Sequence, residues 1–139
     1  MPQPGRWLWG LAGLFACRVA AQPLSLVVDH PWLPRFDAWH GGVLPYAAVL
    51  TSQIAILSWL VVAAYHVTTN RSRPRRKLGR LLLGASLVYG TAMALRLVLG
   101  ATLLGDSRWF ASPLPTVFHL VLAAYLFVYA RVHLRHDQP

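Results

Sequence analysis

Apolar residues dominate four stretches of this chain, Trp7 to Val28, Leu44 to Val67, Leu81 to Leu104 and Leu114 to Val132, and polar residues collect between them. Each stretch is close to or above the ~20 residues that a helix needs to cross ~30 Å of hydrocarbon at 1.5 Å per residue. The pattern therefore predicts four membrane-spanning helices. Between the second and third lies Thr68 to Arg80, TTNRSRPRRKLGR, which holds six of the thirteen Lys and Arg residues and no acid. A short linker so rich in Arg71, Arg73, Arg75, Arg76, Lys77 and Arg80 marks the cytoplasmic side and meets lipid headgroups there. The remaining segments take their sides from it. The expected fold is all-α, an antiparallel up-and-down four-helix transmembrane bundle of sequential neighbours with both termini cytoplasmic.

Local signals refine the elements. Pro23 interrupts the outer third of the first span. Pro45 suits a first-turn position of the second, because the N–H it lacks would have no helical partner there. In the third, Ser86, Gly90 and Ala94 recur every fourth residue and form a small-residue stripe for close helix packing. Trp32, Phe36 and Trp39 in the first outer loop, and Trp109 and Phe110 in the second, read as headgroup-depth anchors. The opening is ambiguous: Arg6, the apolar Trp7 to Ala16 run and Val19-Ala20-Ala21 also resemble an export signal. Leu14-Phe15-Ala16-Cys17 resembles a lipoprotein signal, so the first segment is either a retained span or a removed or acylated one.

Composition agrees with a single integral membrane domain. The chain is 56% hydrophobic and 12% charged, with mean hydropathy +0.47, too few polar residues to cover a soluble globule of 139 residues. A net charge of +9 would by itself suit a nucleic-acid partner. Nine of the basic residues fall on the inner side, however, and only Arg35 and Arg108 outside, so topogenesis accounts for the charge and no nucleic-acid partner is expected. The one cysteine, Cys17, excludes a disulfide or cysteine metal cluster within one chain.

Candidate chemistry lies in polar groups at membrane depth, where a charge is costly and normally faces a partner or a wet cavity. Arg18 falls ~16 Å and Arg96 ~22 Å from the inner ends of their spans. Gln53 falls near the level of Arg18, His119 near that of Arg96, and Gln22 stands one turn above Arg18 on the same face. These groups have two readings. In one, Arg18 and Arg96 are satisfied by Gln22, Gln53, Tyr89, carbonyls freed by Pro23 or water, with their stems snorkelling outward. In the other, Arg18, Gln22, Gln53, Arg96 and His119 line an outer-facing pocket for a quinone oxygen, an anionic lipid or a small acid, a task that suits the planar guanidinium fork.

No cofactor is required by this pattern, with quinone or b-type haem as alternatives. Haem would need axial pairs such as His66 with His133 and His40 with His119, but His40 lies in a Gly-flanked loop and His133 at a fraying end. No catalytic serine, phosphate-loop or zinc motif occurs, and no acid lies within a span, so carboxylate hydrolysis and a carboxylate proton relay are unsupported. The expected function is that of a non-catalytic accessory or assembly subunit packing against itself or a partner. The alternative is a ligand-binding membrane subunit.

FDAWHGGVLPYAAVLTSQIAIL, Phe36 to Leu57, and RWFASPLPTVFHLVLAAYLF, Arg108 to Phe127, resemble segments of small uncharacterised bacterial inner-membrane proteins with four spans. In helix count the chain is similar to the DoxX-like membrane proteins. That resemblance implies a bacterial cytoplasmic-membrane location, and some DoxX-like proteins are linked to quinone-dependent sulfur oxidation.

Overall fold

The computed structural model describes residues 3–28, 31, 45–102 and 113–135. These contain four α-helices and no strand: α1 (Gln3–Val27), α2 (Tyr46–Thr68), α3 (Arg76–Thr102) and α4 (Pro113–Arg135). All four are long and apolar enough to cross a membrane. Large apolar side chains such as Leu26, Ile54, Val62, Leu81, Val88 and Leu95 face outward, so the outer surface of the bundle is itself strongly apolar.

Three helix pairs carry the packing: α3 with α4, α1 with α4, and α1 with α2. The second and third helices, neighbours in sequence, are not packed along their lengths. The spatial order α2, α1, α4, α3 keeps the cyclic order of the expected up-and-down bundle, with one seam, between α2 and α3, left open. The linker explains how this is possible. Five residues without helical structure, Arg71 to Arg75, separate the Thr69-Asn70 turn from α3, enough chain to carry α3 away from α2.

Each pair is antiparallel. Residues Pro4 and Trp7 at the start of α1 lie beside Val128, Arg131 and Val132 near the end of α4. Across α3 and α4, Gly79 faces His133 and Leu134, whereas Gly90 faces Ala123. Along α1 and α2, buried positions 8, 12, 15 and 22 mirror 67, 63, 60 and 53 with the same spacings, as an antiparallel pair requires. The two described ends of the chain and the basic linker therefore share one end of the bundle. There the backbone N–H of Arg75 donates to His133 Nδ1 at 3.2 Å.

The apolar core occupies that half of the molecule. Leu8, Ala12 and Phe15 of α1 pack with Leu60, Ala63, Ala64 and Val67 of α2 and with Tyr125 and Val132 of α4. Tyr125 is fully buried and donates to the Leu60 carbonyl at 2.5 Å. Trp59 stands edge-on to Tyr129 with centroids 5.6 Å apart, so aromatic rings join α2 to α4.

Several local expectations are corrected. Helix α1 continues through Pro23 to Val27, because a proline removes one helical hydrogen bond without preventing the turns on either side. Pro45 is the N-cap and not a first-turn residue: its ψ of 143° is extended, and its carbonyl accepts from Ala48 and Val49. Part of the basic linker is helical, since α3 begins at Arg76. Residue His133 is 3% exposed and lies within the helix, which runs on to Arg135, rather than at a fraying terminus. In the small-residue stripe, Ser86 is buried and Gly90 meets Ala123, but Ala94 is exposed. Each four-residue step turns about 40° past a full revolution, whereas the seven-residue step back to Gly79 turns only about 20° short of two. Gly79 therefore lies on the seam that Ala94 has left. The aromatic anchors proposed for the outer loops, and His40, lie outside the described residues.

Candidate functional site

The polar residues within the spans gather in the half of the bundle away from the chain ends. Arg18 and Gln22 are one turn apart on the buried face of α1, 5% and 0% exposed, and Arg18 Nη1 donates to Gln22 Oε1 at 2.8 Å. The helix spacing that aligns i and i+4 produces this bond directly. Gln53 of α2 is buried, as is Arg96 of α3. On α4, His119 uses Nδ1 in a hydrogen bond with the Tyr89 hydroxyl of α3, and the two rings meet edge to face at 5.7 Å. The positive charges of Arg96 and Arg18 both act on the His119 ring. Arg96 and Tyr89 are likewise within electrostatic reach, as are Arg18 and Tyr46.

The structure thus brings Arg18, Gln22, Arg96 and His119 into one polar layer, and the mirrored spacing of α1 and α2 sets Gln53 level with Gln22. Neither guanidinium snorkels to the surface. Sequence reasoning missed Tyr46 and Thr116, the latter 1% exposed. Tyr46 is seven residues before Gln53 and Thr116 three before His119, so facial spacing from the residues already selected could have found both.

In this layer Gln22 Nε2, a donor, and Gln53 Oε1, an acceptor, lack a hydrogen-bond partner among the described residues. Leaving such a group buried and unsatisfied costs about 1–3 kcal/mol. The four described helices contain no Asp, and the chain has no Glu. The layer is consequently rich in cations and hydrogen-bond donors. It can orient oxygen acceptors, and it has no carboxylate of its own helices with which to act as a general base. Among the described residues, no group of three or more His, Cys, Asp or Glu is placed to hold a metal ion. His66 is exposed on α2, while the Nδ1 atoms of His119 and His133 are engaged by Tyr89 and by the Arg75 N–H.

The six basic residues of the linker, Arg71, Arg73, Arg75, Arg76, Lys77 and Arg80, are all exposed at the opposite end of the bundle. Arg71 lies 6.0 Å from the centre of the Tyr65 ring, which orders the start of that segment.

Four apolar helices around a buried polar layer define a class, small all-helical chains with the dimensions of a multi-pass membrane protein. No protein-family model, curated protein or solved structure matches this chain.

Proposed function

We propose that the chain is a multi-pass protein of a bacterial cytoplasmic membrane, oriented with the basic linker and both chain ends inside, and that its polar layer binds the head of a small amphiphile. The ligand class is set by the donors present: an oxygen-bearing head such as a carboxylate, a phosphate or a quinone carbonyl. The observation that carries this reading is the pair of unsatisfied amide atoms on Gln22 and Gln53, set in the layer that holds Arg18, Arg96 and His119. An acceptor on the ligand satisfies Gln22 Nε2, and a hydroxyl or an accompanying water satisfies Gln53 Oε1. Buried Arg residues in spans normally face such a partner or a wet cavity.

The test is native mass spectrometry of protein purified in mild detergent, comparing wild type with Gln53→Leu and Arg96→Leu. Wild type retains a stoichiometric small molecule. Gln53→Leu loses it, and its thermal midpoint falls below that of the ligand-bound wild type, because the stabilisation a bound ligand gives the folded state goes with the ligand. Retention of the small molecule by both variants, or a bare wild-type mass, removes the binding role.

The separation of α2 from α3 favours a second reading, an accessory subunit in which a partner span or second copy fills that side. A stoichiometric protein partner in the same spectrum, with no small molecule, decides for it.

A further inference from the structure

A second site lies at the other end of the bundle. Between the first two turns of α1 and the last two turns of α4 is a groove of about 200 Å³, lined by Gln3, Trp7, Val128, Arg131, Val132 and Arg135, with Pro4 at its edge. Its chemistry is graded along the helix axis. Along the axis, Gln3 and Arg135 are nearest the chain ends and form the mouth, Trp7 and Arg131 lie about one turn farther in on α1 and α4, and Val128 nearly two. Both arginines and Trp7 are exposed, Trp7 to 66%, so their polar and aromatic groups are available from outside the bundle. The Arg131 guanidinium lies 5.8 Å from the centre of the Phe127 ring, one turn deeper again, which holds its stem along the helix.

A free anion would use only the mouth of such a groove. A molecule with an anionic head and a hydrocarbon tail uses all of it, with the head between Arg131 and Arg135 and the first methylenes against Trp7 and Val128. The direction also agrees with the bilayer: in the proposed orientation the mouth opens at the cytoplasmic headgroup level, and Trp at that level is an ordinary interfacial anchor. The geometry points to a bound anionic phospholipid of the inner leaflet, held by Arg131 and Arg135 and seated on Trp7. This inference rests on the membrane part of the proposed function and is independent of the polar layer.

Two arginines near the membrane surface correspond to roughly thirtyfold preference for anionic over zwitterionic lipid. The experiment reconstitutes the full chain in mixed phosphatidylglycerol and phosphatidylcholine, then releases it gently and quantifies retained lipid by native mass spectrometry. Wild type retains phosphatidylglycerol with that preference. Arg131→Gln/Arg135→Gln reduces it to below about threefold, whereas Arg73→Gln/Arg76→Gln, with the same net charge removed from the linker, leaves it above about tenfold, because the linker meets headgroups without lining the groove. Equal loss in both double variants, or no preference in wild type, overturns the groove. Displacement of the lipid by millimolar glycerol phosphate, which has no tail, overturns the amphiphile. A carbonate wash of the starting membranes separates the two levels of the argument: release of the chain sinks the membrane reading itself, and retention without lipid preference sinks only the groove.

Discussion

Gly79 is the position at which α3 tolerates almost nothing larger. A Cβ there would come within 2.9 Å of Leu134 Cγ and 3.1 Å of His133 Cβ. The leucine can yield by changing rotamer; the histidine Cβ is fixed to its backbone, and its ring is engaged by Arg75. Gly79→Val should therefore cost about 1–3 kcal/mol through overpacking, read as a lower midpoint of thermal unfolding in detergent. Gly84→Val is its control, because no atom lies within 4 Å of the added carbon. A Gly79→Val midpoint no lower than that of the control would show that the approach of the helices is looser than described. Tyr125 gives a second residue-scale expectation. Its hydroxyl donates to a carbonyl already engaged in the α2 ladder, so Tyr125→Phe should lower stability by only ~1 kcal/mol, the scale measured for hydrogen bonds between spans.

At the scale of the element, helix ends in this strongly apolar bundle obey the usual hydrogen-bond accounting. Helix α2 closes with Asn70 in the left-handed region, φ 54°, while Arg71 N donates to the His66 carbonyl at 2.9 Å and Asn70 N to the Val67 carbonyl at 3.3 Å. This pair of backward bonds is a Schellman closure, and Asn is the usual non-glycine occupant of its left-handed position. Asn70→Gly should be neutral, and Asn70→Ala should cost about 1–2 kcal/mol. Equal stabilities would mean that the turn is not held in this form. The closure directs the chain out of α2 and into the non-helical Arg71 to Arg75 segment, which the Arg75 N–H then attaches to His133. Through these steps a local backbone preference positions α3 beside α4 and away from α2.

At the scale of the molecule, the bundle has two unlike halves. One, at the chain ends, is an apolar core of small and aromatic residues; the other is the polar layer around Arg18 and Arg96. The basic linker lies at the apolar end, so an orientation with positive charge inside places the polar layer in the outer half of the bilayer. A labelling reagent that cannot cross membranes should therefore fail to reach a cysteine placed at Ser72 in intact cells and reach it in inverted vesicles, with Cys17 replaced by Ala in the background. Labelling from outside would reverse the assignment of every segment.

Sequence periodicity and length were sufficient for the number, type and approximate limits of the helices, because burying backbone in hydrocarbon demands long uninterrupted apolar runs. Helical phase was also enough to pair Arg18 with Gln22, since both are on one helix. Partners on different helices were not legible. The bond between Tyr89 and His119, the alignment of Gln22 with Gln53, the close approach at Gly79 and the groove beside Trp7 depend on which helices adjoin and in what register. Hydrophobicity does not encode those choices when lipid and protein interior are equally apolar. Side-chain shape and the few polar contacts between spans decide them, and these appear only when the helices are assembled.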